Sequence, residues 1–151
     1  MEYKEISVAI IAVFGVFFTA RVALKNNNKN LLIKTVTDER AVWRKELRDT
    51  CAEFVKLIYE QMNNSSVSNK PRINELKVHL KLRVNPSSDN KHHLDKAIIS
   101  LSQELVDMLE KEAIKNDIQV KLVELEGKVQ ELLKQEWDKS KGEALTGELA
   151  K

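Results

Sequence analysis

The sequence predicts an all-α protein: an N-terminal transmembrane helix, then a three- or four-helix antiparallel bundle ending in a long, coiled-coil-like helix. Three observations predict it. Charged residues make up 32% of the 151 positions while glycine and proline number only four and two, which suits long helices and leaves too few turn residues for a β-sandwich. Apolar residues recur at steps of three and four over most of the chain beyond residue 35, the signature of helices with one buried face. Residues 6–20 carry no charge and hold Phe14, Phe17 and Phe18, three of the four phenylalanines.

The first element is the apolar stretch "VAIIAVFGVFFTARVALKN", Val8 to Asn26. A bilayer core about 30 Å thick needs ~20 apolar residues at 1.5 Å each. Residues 6–24 reach that length if Arg21 extends its guanidinium to the interface. A buried core helix would keep a polar face, and here only Ser7 and Thr19 are polar before Arg21. A cleaved signal peptide would begin with a basic region, whereas "MEYKE" has two glutamates and one lysine, and Phe18 stands where a small cleavage-site residue belongs. The expected organisation is therefore an extracytoplasmic N-terminus at 1–5, a transmembrane helix at 6–24, a basic polar juxtamembrane linker at 25–34, a cytoplasmic helical bundle at 35–140 and a flexible tail at 141–151.

Orientation follows from the cations. Lys4 stands alone before the span, and Arg21, Lys25, Lys29 and Lys34 follow it, so the large C-terminal part is expected inside, with these four at the membrane surface. The expected localisation is the inner (cytoplasmic) membrane, single-pass, with the N-terminus outside. The single cysteine, Cys51, agrees with a reducing compartment. Ala12, Gly15, Thr19 and Ala23 fall on one stripe of the span, which would let two helix backbones approach closely in lipid. Such small residues are also common in spanning helices, with no packing role.

Within the bundle, Thr35 or Thr37 is a cap candidate for a helix marked by Trp43, Leu47, Thr50, Phe54, Leu57 or Ile58, and Met62. "NNSSVSNKP" is a loop by composition. "RINELKVHLKLRVNP" fits a strand by the alternation of Leu76, Val78, Leu80, Leu82 and Val84, and a helix by Ile73, Leu76 and Leu80. The absence of a second β-like segment favours helix. "NPSSDN" reads as a turn. Leu94, Ala97 or Ile98, Leu101, Leu105, Met108 and Leu109 define the next helix. Ile118, Leu122, Leu125, Val129 and Leu132, closed by Trp137, define the last at near-heptad spacing, with Gly127 costing it about 1 kcal/mol. That last stripe is the candidate interaction surface.

No catalytic, cofactor-binding or metal-ligating set emerges. His92, His93 and Asp95 cluster, but adjacent histidines diverge on a helix, and Asp95 more simply serves a helix start. No phosphate-binding glycine loop and no nucleophile elbow occurs. Cys51 has basic neighbours in sequence but no nearby histidine, and reads as a small buried residue. Arg40, Arg44, Lys45 and Arg48 are interleaved with Asp38, Glu39, Glu46 and Asp49, a solvated ion-paired face rather than a nucleic-acid site, and the net charge of +2 is too small for a nucleic-acid partner.

Three pieces, "WRKELR" (Trp43 to Arg48), "LKLRVNP" (Leu80 to Pro86) and "LLKQEWDKSK" (Leu132 to Lys141), together resemble a loose group of small bacterial single-span membrane proteins of unknown function. The resemblance covers most of residues 6–141. It implies an N-terminal anchor, a helical cytoplasmic part and a helical "LKLRVNP", and it carries no activity. Proteins of this layout also occur among phage, prophage and phage-defence genes.

The functional expectation is a membrane-anchored adaptor or regulatory subunit that acts by protein–protein contact or self-association at the cytoplasmic membrane surface. It would need the lipid bilayer as a partner, no cofactor and no small-molecule substrate. The alternative is a small membrane effector, of toxin or phage-exclusion type, oligomerising through its span.

Overall fold

The computed structural model describes residues 2–64, 68–85 and 92–149, with side chains from residue 14 onward. Four helices follow one another: α1 (Glu2–Asn63), α2 (Lys70–Arg83), α3 (His93–Glu110) and α4 (Lys115–Thr146). No strand occurs among the described residues. The chain divides into two units, one of residues 1–39 with 140–151 and one of residues 40–139.

The larger unit is an antiparallel four-helix bundle. Neighbouring helices are fixed by specific cross-pairs. Arg72 on α2 forks onto Glu53 of α1 at 2.8 and 3.0 Å. Arg83, one end further, reaches Glu46 at 3.4 Å, so α2 runs back along α1. The indole N–H of Trp43 donates to the Arg83 carbonyl at 2.7 Å, occupying one of the carbonyls that a helix C-terminus leaves without a partner. Lys121 of α4 meets Glu104 of α3 at 3.3 Å. Arg44 of α1 donates to the Glu136 carbonyl of α4 at 3.3 Å, while Cys51 and Val129 line one groove between the same two helices. The helices thus close a ring in chain order.

The core contains Leu47, Phe54 and Ile58 from α1, Ile73, Leu76 and Leu80 from α2, Leu94, Ile98, Leu101 and Leu105 from α3, and Ile118, Leu122, Leu125, Val129 and Leu132 from α4. On α1 the buried positions 47, 51, 54, 58 and 62 step by four and three, as do 118, 122, 125, 129 and 132 on α4. That is the seam of paired helices, where each apolar knob fills a hole of the facing helix. Ser102, buried in α3, returns its hydroxyl to the Ile99 carbonyl at 2.9 Å, which satisfies it without a cross-helix partner.

Helix ends follow local chemistry. Pro71 occupies the first turn of α2, where its missing N–H is no loss. α2 gives way to Val84 in extended conformation (φ −109°, ψ 158°), one residue before the Asn85–Pro86 bond that disfavours helix. Asp95 lies in the first turn of α3 and its carboxylate meets His92 Nδ1 at 2.9 Å. α3 stops in a Schellman arrangement: Ala113 N–H donates to Met108 O at 2.9 Å and Glu112 N–H to Leu109 O at 3.4 Å. Glu112 therefore sits at φ 52°, a left-handed position that glycine usually fills.

The segment 76–84 is helical through Arg83, as expected, with Val78 and Leu82 outward; the alternation that mimicked a strand is an exposed residue on either side of Leu80. Other expectations are corrected here. The linker expected at 25–34 is helix within α1, because leucines, isoleucine and lysines flank the asparagines and continuing a helix is far easier than starting one. The tail expected from 141 is helix to Thr146. It ends at Gly147, whose φ of 65° reverses the chain and whose N–H donates to Glu143 O at 2.9 Å.

Among the described residues no helix is long and apolar enough to cross a membrane. Ala12 and the rest of residues 6–13 fall outside the described side chains. The transmembrane helix and the single-pass inner-membrane placement are therefore withdrawn.

Candidate interaction site

The stripe expected to dock a partner is already occupied. Ile118, Leu122, Leu125, Val129 and Leu132 are buried in the bundle core, so α1, α2 and α3 are what they pack against. Trp137 alone of that set stays open, 57% exposed. The Arg44 guanidinium lies over its ring, 5.4 Å from the centroid, a cation–π contact that fixes the ring on α4.

The groove between α1 and α4, about 520 Å³, is floored by Cys51, Val55, Val129 and Leu133 and edged by Arg48 and Glu126. Its thiol is a poor nucleophile: burial, and then the nearby Glu126 carboxylate, push it up to about 11. Among the described residues no three His, Cys, Asp or Glu side chains gather as metal ligands. His93 is exposed, and His92 and Asp95 are engaged with one another.

Charged side chains elsewhere build structure. Arg72 holds Glu53 and, at 2.8 Å, Glu75. These hydrogen bonds keep both carboxyls below the usual carboxylate range and raise the guanidinium in turn. Lys45, bonded to Asp49 at 2.9 Å, is raised by that bond, and Lys121 is raised by its bonds to Glu124 and Glu104.

The smaller unit presents the surface that stands out. Phe14, Phe17 and Phe18 are 70%, 65% and 71% exposed, and Val22, Leu24, Leu31 and Leu32 are also open. At about 200 Å² for a phenylalanine side chain, the three rings alone leave on the order of 400 Å² of apolar surface in water. The largest apolar patch on a typical monomer is about 300–600 Å² and is often functional; the aliphatic neighbours carry this one beyond the rings' share. Because α1 is helical through residues 14–32, these side chains fall largely on one half of its circumference.

The other expected residues sit beside this patch. Gly15, Thr19 and Ala23 are exposed, and a side chain added at Gly15 would meet nothing within 4 Å, so no close approach inside this unit requires a glycine. Thr19 returns its hydroxyl to the Gly15 carbonyl. Arg21, Lys25, Lys29 and Lys34 are exposed, with Lys29 3.6 Å from Glu148; the first three share the apolar half of the helix. The sequence signal for a continuous patch was present in the three-and-four spacing of Phe14, Phe17, Arg21, Leu24, Asn28 and Leu31. Dividing the chain at residue 24 hid it.

No family model, no curated protein and no solved structure matches the chain. Its function must therefore be argued from these surfaces.

Proposed function

We propose that this protein is a helical interaction module, an adaptor or regulatory subunit that works by protein–protein contact through the apolar length of α1 between Phe14 and Leu32. One observation carries the reading: the three phenylalanines and four aliphatic neighbours stand in solvent on a formed helix. At ~25 cal/mol per Å², the rings alone forgo about 10 kcal/mol of burial, as much as the whole net stability of a typical domain, about 5–15 kcal/mol. A partner surface recovers that term. The bundle of residues 40–139 supplies a folded body, with a closed core and a thiol held in its unreactive form, and has no catalytic part in this proposal.

The test replaces Phe17 and Leu24 together by aspartate in the full chain. Circular dichroism checks that the bundle is intact, and co-purification compares the variant with the parent. The reading expects a stoichiometric partner, a different protein or the chain itself, that is lost in the variant. A partner retained equally by both chains would refute it.

A further inference from the structure

We infer that the groove between α1 and α4 binds a medium-chain carboxylate, with its anionic head on Arg48 and its alkyl chain along the apolar floor. This site lies in the bundle and does not depend on the α1 surface proposed above.

Shape narrows the occupant. Cys51 and Val129 are buried in the floor, and Val55 and Leu133 are half-buried there. The Cys51 thiol, raised by burial, carries no charge at neutral pH. Ala52, on the α1 wall between Arg48 and Lys56, is small and leaves the space open. The volume of about 520 Å³ falls within the ~300–1,000 Å³ of small-molecule sites. Packed helices stand about 8–10 Å apart, so the slot admits one thin chain and not a further helix, ~10–12 Å across with its side chains. An extended peptide is disfavoured too, because its N–H and C=O groups need partners that valine and leucine side chains do not supply. An alkyl chain needs none.

Charge sets the direction and the head. Arg44 reaches the Glu136 carbonyl and the two helices run antiparallel, so Lys56 lies toward the Glu126 end of the groove and Arg48 toward the Leu133 end. The first end is balanced: Lys56 is 3.6 Å from Glu60, and Glu126 stands at the same end. The second end is not. One turn away from Arg48 on α1 are Arg44, Lys45, Cys51 and Ala52, none of them acidic, and among the described residues Arg48 has no ion pair or hydrogen bond. A guanidinium takes a carboxylate through paired N–H donors. One cation balances one carboxylate, whereas a phosphate monoester brings about −1.5 to −2. From Arg48 to Val55 the groove runs about 10 Å at 1.5 Å per residue, the reach of an extended chain of roughly eight carbons.

Titration calorimetry on the full chain tests this with octanoate, and with 1-octanol as the uncharged control. Expected are saturable binding of one octanoate per chain and at least tenfold weaker binding of octanol. Arg48→Gln should lower octanoate affinity at least tenfold and leave octanol unchanged. Ala52→Trp fills the groove and should abolish both, with helicity checked by circular dichroism. Arg48 is exposed, so Arg48→Gln and the octanol comparison decide the matter even if Ala52→Trp loses its fold. No saturable binding of octanoate would overturn the inference. So would equal affinity for octanoate and octanol, or octanoate binding that Arg48→Gln or a folded Ala52→Trp leaves unchanged. Phe17→Asp with Leu24→Asp should bind octanoate as the parent does; loss there would place the ligand on the apolar length of α1 and overturn the inference as well.

Discussion

Replacing Leu125 by alanine separates a core role for the α4 stripe from a docking role. Leu125 is 0% exposed, among Leu122, Val129 and residues from all four helices. The substitution removes three carbons, worth about 2.4 kcal/mol at ~0.8 kcal/mol each, and leaves a cavity whose penalty takes the total to about 3–4 kcal/mol, within the range seen for buried leucines. For a cooperative unit of this size, 1 kcal/mol moves the melting temperature by about 4–8 °C, so the bundle should melt roughly 12–32 °C lower. Val123, two residues away on the same helix and 65% exposed, is the control: Val123→Ala should change stability by less than about 0.5 kcal/mol. Thermal denaturation followed by far-ultraviolet circular dichroism measures both. If the two variants melt alike, and Leu125→Ala instead loses a binding partner, the stripe is a docking surface and the placement of the core is wrong.

Four further outcomes follow from individual residues. Trp43→Phe keeps the ring but loses the indole bond to the Arg83 carbonyl, and urea titration should show a loss of about 1 kcal/mol. Glu112→Gly relieves a left-handed residue at φ 52° and should raise stability by about 1 kcal/mol in the same titration. The Cys51 thiol is held protonated in the folded chain, so stability should fall as pH rises from about 9 toward about 11, by on the order of 2 kcal/mol; Cys51→Ala should lack this alkaline loss in denaturant titrations across that window. Glu53 and Glu75 are depressed by Arg72, so their contribution is present above the unfolded carboxylate range and is lost as pH falls through their depressed folded values. The stability gap between the parent and Arg72→Ala should therefore narrow in acid, as read by circular dichroism, and a gap constant with pH would contradict the pairing.

The α-helical class was legible because burial imposes a period. Leu47, Phe54, Ile58, Leu101 and Leu105 all stood at the expected steps and all lie in the core. Where the pattern offered Leu57 or Ile58, packing chose Ile58, which is fully buried while Leu57 is half-buried. Period tells that a face is covered and not by what, which is why the α4 stripe read as a docking surface and turned out to be the bundle's own seam. Asparagines at 26–28 and 30 argued for a linker on intrinsic propensity, at most ~0.7 kcal/mol each, and the helix on both sides outweighs that. Arg83 gives its backbone carbonyl to Trp43, a contact forty residues apart that no local pattern encodes. Glu112 adopts a glycine-like conformation with no glycine to announce it.

The central claim is that α1 between Phe14 and Leu32 is held against another protein surface. The most direct measurement places a photoreactive phenylalanine analogue at position 17 of the full chain in its native cell, with the same analogue at Val123 as control, and irradiates. The account predicts one discrete protein adduct from position 17, either a second copy or a single partner, and none from position 123. No discrete adduct at 17, or the same adducts from both positions, would contradict it.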